Sequence, residues 1–516
     1  MIKNWLILFL LLPLVSCAQL NPQSKKVTEK FFPDHTIQID TPAFAKKKGF
    51  TTHSEMMAFL NGLVSAHPNM AKMSVIGQSQ EGKDIPMVVL TNPESKEKKV
   101  KVFMQGGLHG DEPASTEAML FLLDQLLNND SCTSLLNTIE LGMIPMANID
   151  GFEKQNRYAA NGLDLNRDQT KLMAPETMVL KKAFNAFGAE VAVDFHEYRP
   201  YRAHYARMST FGVTSIYDVM FLYSGNLNVP QILRDYTQDV FISDAEKTMD
   251  RNGFRHHDYF STEDHSGHTH FHQGSSNARS SATSFALRNT ISALIEVRGV
   301  GLNRTSLTRR VHCGYLVAMS FLRTTAANVD GIKEVLQQSN LNTGDAVVTS
   351  KSEELDAKIQ FIDLDNNEEI TLDVILHDAL KTTAILSRTR PLGYVLLPGH
   401  PDLSEKLLAL GFTLTSLDDP HFLDVEKYLV TEASQDSEKY EGAFRQQVTT
   451  SIELSRKEFP EGTQLLLLEQ PKSNLAIELF EPEAKNSFVS FGLLKVEIGD
   501  ELPIYRLKGE FIQKKQ

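Results

Sequence analysis

The sequence predicts an α/β fold in which a sheet is covered by helices, followed by a smaller strand-rich domain. Through about Gln338, short apolar runs alternate with segments that have apolar residues at helical spacing. Strands that alternate with helices are typical of sheets with helices on both faces. From about Leu341 onward, short alternating stretches such as "DAKIQFIDL" and "EITLDVIL" replace the helical patterns. A chain of 516 residues is also long for a single core, which favours two domains.

The elements of the first domain can be assigned in order. A helix is predicted for "THSEMMAFLNGLVSAHP", with Thr52 or Ser54 as its N-cap, and two strands around a glycine turn for "MSVIGQSQEGKDIPMVVLT". The strand "KVKVFMQG" precedes a helix with Pro113 in its first turn, a position that proline favours. Three further strands and two helices are predicted in "ELGMIPMANIDGF", "EVAVDFHEY", "ISALIEVRGVG", "APETMVLKKAFNAFG" and "GYLVAMSFLRTTAANVDGIKEVLQQ".

The first residues predict secretion and lipid anchoring. Residues 1–17 combine a basic start, an apolar run and small residues before Cys17, which is typical of a secretory signal peptide. "LVSC" is similar to a bacterial lipobox, in which the cysteine is lipidated and anchors the chain to a membrane, whereas the alternative is a plain secretion signal. Residues 18–45 are polar and lysine-rich, so we expect a tether.

This interpretation places the chain in the bacterial cell envelope. Ala18 rather than an aspartate follows the cysteine, which favours the periplasmic face or the surface of the outer membrane in a Gram-negative cell. The net charge of −13 and the lack of a basic stripe argue against a nucleic-acid partner. Cys132 and Cys313 allow one disulfide at most, and the sequence leaves their pairing open.

Polar residues at predicted strand ends indicate a metal site. In "FMQGGLHGDEPAS", His109 and Glu112 lie three residues apart in a glycine-rich turn between a strand and a helix. Ligands bind open α/β sheets at the carboxyl ends of their strands. A catalytic zinc site has three protein ligands and one open position, and His196 in "VAVDFHEY" is the candidate third ligand. The alternatives are an ordinary polar turn and a histidine buried in the core.

Other polar residues are candidates for the catalytic chemistry. Glu296 ends the apolar run of "ALIEVRGVG" and is a candidate general base, although a salt bridge to Arg298 is the alternative. Arg157 and the pair Asn166–Arg167 lie in "QNRYAANGLDLNRD". Arginine binds carboxylates through two parallel hydrogen bonds and stabilises oxyanions, although such a pair is often part of a solvated loop.

Together these motifs resemble a known family. "GGLHGDE", "GLDLNRD", "VDFHEY" and "LIEVRG" are similar, in the same order, to motifs of the zinc metallocarboxypeptidases, also called carboxypeptidase A-like peptidases. The resemblance covers about residues 50–325 and implies a catalytic domain over residues 46–325 with a mixed, twisted sheet between helices. Residues 341–516 would then form an extra C-terminal domain of unknown role.

The resemblance also implies roles for individual residues. One Zn²⁺ per chain would bind to a set of three ligands, namely His109, Glu112 and His196. Glu296 would act as the base that activates the attacking water, and Arg157 would stabilise the tetrahedral oxyanion. Asn166 and Arg167 would bind the free C-terminal carboxylate of a peptide substrate.

Two features depart from the family pattern: the C-terminal domain, which has no counterpart in the simplest members, and a missing tyrosine. The family usually has a mobile tyrosine about twenty residues before the base, but "QGSSNARSSATSFALRN" contains none, so Tyr259 or a histidine of residues 256–272 is the candidate replacement. Residues 256–272 hold six of the 16 histidines. They could form a second metal site, since alternate residues such as His268, His270 and His272 share one strand face, or simply a solvated wall of the active site.

Three functional hypotheses remain at this point. The first is a zinc carboxypeptidase that removes the C-terminal residue of peptides, including cell-wall or nutrient peptides. The second keeps the zinc centre but acts on N-acyl amino acids, as a deacylase or amidase. The third is an inactive envelope lipoprotein that binds peptide. The presence of all three candidate ligands and the candidate base favours an enzyme.

Overall fold

A computed structural model describes residues 23–265, 267–341 and 344–509. The predicted signal peptide and Cys17 lie outside these ranges. Nineteen strands lie within them: β1 (Ala71–Gln78), β2 (Asp84–Leu90), β3 (Val100–Gly106), β4 (Ile139–Ile144), β5 (Val191–Tyr198), β6 (Val213–Ser215), β7 (Val219–Leu222), β8 (His256–Asp258), β9 (Phe260–His265), β10 (His268–Gln273), β11 (Ile291–Arg298), β12 (Ala346–Asp363), β13 (Glu368–Arg388), β14 (Gly393–Leu396), β15 (Thr415–Ser416), β16 (His421–Gln435), β17 (Gln446–Phe459), β18 (Gln464–Leu467) and β19 (Glu501–Leu507).

Thirteen α-helices lie in the same ranges. They are α1 (Lys25–Phe31), α2 (His53–Ala66), α3 (Pro113–Asn128), α4 (Asp130–Thr133), α5 (Ile149–Glu153), α6 (Pro175–Phe187), α7 (Gln231–Tyr236), α8 (Ser243–Arg251), α9 (Ser281–Leu287), α10 (Leu307–Ala327), α11 (Val329–Asn340), α12 (Pro401–Ala409) and α13 (Leu475–Phe480). The N-cap of α2 is Thr52, one of the two predicted candidates. The helix predicted across Asn328 is divided there into α10 and α11.

The largest sheet has eight strands in the order β1-β2-β4-β3-β5-β11-β7-β8. The strands β4, β3, β5 and β11 are parallel to one another, while β1 is antiparallel to β2, β2 to β4 and β7 to β11. Helices α6 and α9 pack on this sheet through Phe184 and Phe285, whose rings both contact Phe103 of β3. The predicted α/β fold with a mixed sheet and helical layers is confirmed.

Lys181 of α6 is a charged residue in this apolar layer. Its side chain is 3% exposed, its Nζ donates to Ser284 Oγ at 2.7 Å, and it lies 4.6 Å from the ring of Phe285. Burial lowers the pKa of Lys181 from 10.5 to about 7. The ammonium form is therefore destabilised in the folded chain, because few polar groups replace its hydration.

The buried lysine predicts a pH-dependent stability. Between pH 7 and about 10 the unfolded chain binds this proton and the folded chain does not, so the free energy of unfolding should rise with pH. Relative to Lys181→Met, the native chain should gain about 1 kcal/mol per pH unit in this range. Thermal unfolding midpoints of both chains at pH 7.5 and 9 measure the difference. Parallel pH profiles would contradict the assignment.

The N-terminal segment differs from the prediction. Residues 23–45 do not form a free tether, because Val27, Phe31 and Phe32 are buried in a cluster with Tyr198 and Tyr205. The guanidinium of Arg298 lies 4.2 Å from the centre of the Phe32 ring. The many lysines of this segment predict exposure, but its three apolar residues pack against the rest of the chain.

The region after residue 341 is strand-rich, as predicted, but its first half is not a separate unit. Strands β12 and β13 form a long hairpin that joins a five-stranded sheet in the order β6-β12-β13-β10-β9. Three of those strands, β6, β9 and β10, precede residue 341 in the chain. Among the three sheets of the described residues, the six-stranded one, β15-β18-β14-β19-β16-β17, is built entirely from C-terminal strands, and Tyr394 and Leu410 from this part belong to the main core.

Two further findings concern the cysteines and the membrane. Cys132 and Cys313 are both buried and free, so no disulfide joins them. Among the helices of the described ranges, none has the length and apolar character needed to cross a membrane.

Candidate active site

The turn between β3 and α3 carries the first two predicted ligands. Gly107 has a φ of 63°, and a Cβ at Gly110 would lie 2.0 Å from the carbonyl carbon of Gly151. Neither position accommodates a side chain without strain, since a positive φ favours glycine and the backbone of Gly151 fills the space beside Gly110. The turn therefore packs closely enough to place Glu112 at the N-cap of α3.

The three predicted ligands come together at the carboxyl ends of adjacent strands. Nδ1 of His109 lies 2.7 Å from Oε1 of Glu112, and Nδ1 of His196 lies 2.8 Å from Oε2 of the same carboxylate. The two Nδ1 atoms are 3.0 Å apart, and all three residues are at most 2% exposed. Two imidazole nitrogens and a carboxylate that converge on one point fit Zn²⁺, whose sites use these ligand types.

Two carboxylates hold the outer nitrogens of these histidines. Nε2 of His109 lies 3.0 Å from Oδ1 of Asp164, and Nε2 of His196 lies 2.9 Å from Oδ2 of Asp194. Metal-binding histidines commonly donate their second N–H to such a carboxylate, which fixes the ring and its tautomer. Sequence reasoning did not assign these roles. Asp194 could have been found from its i, i+2 spacing to His196 on β5, whereas no local pattern links Asp164 to His109.

Glu296 lies directly beside the ligands. It is paired in register with His196 across the parallel strands β11 and β5, so both side chains project from the same face of the sheet. Removal from bulk water, together with the nearby Glu112 carboxylate, raises the pKa of Glu296 to about 7. The alternative of a salt bridge between Glu296 and Arg298 is wrong, because the guanidinium of Arg298 donates instead to Oε1 of Gln23 and to the hydroxyl of Thr214.

Arg157 is held at the edge of the ligand cluster. Its Nε and Nη2 donate to Oδ2 of Asp164 at 3.0 and 2.7 Å, while Nη1 lies 3.6 Å from Oε1 of Glu112. Asp164 therefore contacts both a candidate ligand and this arginine. The guanidinium is fixed on one side, and Nη1 is left beside the ligand cluster.

Asn166 and Arg167 form a short 3-10 turn next to Asp164. Oδ1 of Asn166 accepts a hydrogen bond from the backbone N–H of Ser281 at 2.8 Å, which joins this turn to the start of α9. Nη1 of Arg167 donates to the carbonyl oxygen of Asn166 at 2.8 Å. No carboxylate in the described part of the chain lies within ion-pair distance of Arg167, so its charge is available to an anionic ligand.

A cleft of about 750 Å³ connects these residues. Its walls include His109, Arg157, Asn166, Arg167 and Glu296, so the structure brings together the predicted ligands, base and arginines. Tyr259 and His272, from the segment considered for the missing tyrosine, also line this cleft. The hydroxyl of Tyr259 accepts a hydrogen bond from Nη2 of Arg202 at 3.4 Å.

Comparisons with known proteins agree with this geometry. Residues 56–211 match the family model Peptidase_M14, described as zinc carboxypeptidase. Over 475 residues the chain is 30% identical to Carboxypeptidase 2 of Trichophyton rubrum, an alignment that covers 89% of this chain and 87% of that protein. The chain belongs to the zinc carboxypeptidase family. It is also 29% identical to Carboxypeptidase D of Mus musculus over 147 residues, which are 25% of this chain and 11% of that protein.

A solved structure shows a partial likeness. The metallo-carboxypeptidase from Burkholderia cenocepacia aligns with a TM-score of 0.42 and 17% identity, over 53% of this chain and 69% of that one. The Carboxypeptidase 2 alignment is long enough to include most of residues 341–516, so this zinc carboxypeptidase shares its C-terminal region with that relative.

Family membership favours the hypotheses of a zinc enzyme over that of an inactive binding protein. This zinc carboxypeptidase is a hydrolytic metalloenzyme, and Zn²⁺ is its cofactor. The cluster of His109, Glu112 and His196 is the site in the cleft whose ligand atoms, all within 4.8 Å of one another, could hold that ion.

Proposed function

We propose that this enzyme removes the C-terminal residue of peptides that carry a free C-terminal carboxylate. The observation that supports the proposal is the guanidinium of Arg167, which has no carboxylate partner among the described residues and shares a cleft with the metal ligands and Glu296. A planar guanidinium beside an amide binds a carboxylate through parallel hydrogen bonds. Peptide substrates bound in this way present their last peptide bond to the ligand cluster.

Each side chain then has a specific task. Glu296 takes the proton from the attacking water and returns it to the leaving amine, which a group with a pKa of about 7 can do at neutral pH. Arg157 directs Nη1 at the carbonyl oxygen of the scissile bond and stabilises its negative charge. Asp164 keeps that guanidinium in place.

His109, Glu112 and His196 would hold the zinc ion. When it is bound, zinc polarises the scissile carbonyl and lowers the pKa of water at the site to about 7. Asp164 and Asp194 orient the two imidazoles, so that the ligand set is arranged before the ion arrives.

Paired substrates test the proposal. A mixture of peptides would be offered to the enzyme with free and with amidated C-termini, and the products followed by mass spectrometry. We expect residue-by-residue loss from the free C-termini only, because an amide cannot pair with the Arg167 charge. Equal cleavage of both forms would contradict the carboxylate site and favour an endopeptidase or amidase. Release of acyl groups from N-acyl amino acids, with no loss from peptides, would favour the deacylase.

We also propose that Cys17 is lipidated and that the enzyme acts at the bacterial envelope, on cell-wall or nutrient peptides. Support for lipidation comes from the "LVSC" motif. The distance of the folded chain from the anchor is limited by Gln23, whose side chain hydrogen-bonds Ser306 and Arg298. Gln23 is six positions after Cys17, a reach of roughly 20 Å at full extension. The catalytic region would therefore lie close to the membrane surface.

A cysteine variant tests the anchor. Cys17→Ser should move the enzyme from the membrane fraction to the soluble fraction, and a fatty-acid label carried by the native chain should be lost. Unchanged membrane association without a label would mean that the N-terminus is a plain secretion signal and that another contact holds the protein.

A further inference from the structure

The five-stranded sheet has two chemically different faces near the cleft. On one face Phe260, Phe271 and Leu376 are buried in an apolar cluster. Residues that alternate with them project from the opposite face, which carries His270 and His272 of β10. This second face is partly exposed, so its histidines do not fill a core.

Strand register brings a third histidine and a glutamate to the same face. His272 of β10 is paired with His377 of β13, and His377 is paired with Glu354 of β12. Residues paired in this way share a face, so the three strands contribute neighbouring side chains. His377 and Glu354 are more than 80 positions from the histidine-rich segment, and only the long-range pairing of β10 with β13 unites them.

The side chains converge as a ligand set. Nδ1 of His270 lies 2.7 Å from Nε2 of His377, and the ligand atoms of His270, Glu354 and His377 all lie within 4.8 Å of one another. The ring of His377 is stacked between its neighbours, 5.1 Å from the ring of His270 and 4.7 Å from that of His272. The catalytic cluster has the same composition, with a comparable distance of 3.0 Å between its histidine nitrogens.

We propose that His270, His377 and Glu354 bind a second divalent transition-metal ion of the zinc type. Two imidazoles and one carboxylate suit Zn²⁺, Ni²⁺ or Cu²⁺ and not Ca²⁺ or Mg²⁺, which prefer oxygen ligands. His270 and His377 are partly exposed and Glu354 is exposed, so water can complete the coordination. This site shares no residue with the catalytic cluster.

The ion would connect two hairpins at the wall of the cleft. His270 belongs to the β9–β10 hairpin, whereas His377 and Glu354 belong to the β12–β13 hairpin from the C-terminal region. His272, which stacks on His377, lines the catalytic cleft. An ion that binds only the folded chain stabilises it, so occupancy should fix this wall and raise the unfolding midpoint.

Zinc titration of the enzyme that already carries one equivalent tests the proposal. Isothermal titration with Zn²⁺ should show a second saturable equivalent, accompanied by a rise in the thermal unfolding midpoint. In His377→Asn and in His270→Asn the affinity for this second equivalent should fall at least about tenfold, and the rise should disappear. The matched control is His268→Asn, an exposed histidine of the same strand outside the cluster, which should behave like the native chain.

Retention of the first zinc equivalent and of a cooperative thermal unfolding transition would show that the variants are folded. Because the readouts are metal affinity and unfolding midpoint, the result is separate from that of the proposed carboxypeptidase activity. Absence of a saturable second equivalent in the native chain would overturn the site. So would a second equivalent whose affinity is the same in the native chain and in both His377→Asn and His270→Asn.

Discussion

The Glu296→Gln variant should retain its zinc and lose about 10³-fold in kcat on a peptide with a free C-terminus. Glutamine keeps the shape of the side chain but cannot accept a proton from the attacking water or return one to the leaving amine. Glu296 lies in register with His196 in the cleft that holds the metal ligands, so the loss should come from chemistry and not from binding. Steady-state kinetics and zinc content measured on the same sample separate the two.

A second glutamate of the same cleft provides the control. Glu263 on β9 lines the cleft but is exposed, and Glu263→Gln should keep kcat within about threefold of the native value, since surface substitutions usually change little. If Glu296→Gln were as active as this control, another group would have to act as the base.

Replacement of Arg167 by alanine should lower kcat/KM for free-acid peptides about 10²-fold. A hydrogen bond to a charged group contributes about 1.5–3 kcal/mol, and the substrate carboxylate would lose its guanidinium partner in the proposed clamp. Most of the loss should appear in KM, because this contact forms in the ground state as well as in the transition state. Hydrolysis of the amidated peptide, slow in both enzymes, should not change.

An exposed arginine of the cleft controls for loss of positive charge. Arg199→Ala removes the same charge from the same cleft and should reduce kcat/KM only slightly. An equal loss in both variants would indicate general electrostatic attraction of substrate instead of a carboxylate clamp at Arg167.

Much of the catalytic region could be predicted from local patterns. Polar residues at the ends of apolar strands have no packing role, and this pattern indicates His109 and His196 as candidate ligands. The strand order then brings β3, β5 and β11 side by side, which places these residues and Glu296 together. Local signals of this kind depend on a few neighbouring residues and do not require knowledge of the whole fold.

Features that depend on distant contacts could not be predicted. Asp164 lies 55 positions from His109. The register that unites His272 with His377 joins β10 and β13, which are separated along the chain by α9, α10 and α11. Two further features likewise follow from tertiary contacts. Phe31 and Phe32 pack against Tyr198 and Tyr205, and Lys181 of α6 is buried. The lysine-rich composition of residues 18–45 predicts exposure, but burial is decided by the surface against which the side chains pack.

A crystal structure of Glu296→Gln with zinc and a slowly hydrolysed peptide would show directly where the C-terminus of the substrate binds. We expect one ion on His109, Glu112 and His196, and the C-terminal carboxylate of the peptide within hydrogen-bond distance of Arg167 and Asn166. The last peptide bond should then lie beside the ion and Arg157. A peptide that passes through the cleft with its C-terminus far from Arg167 would contradict the carboxypeptidase assignment of this site.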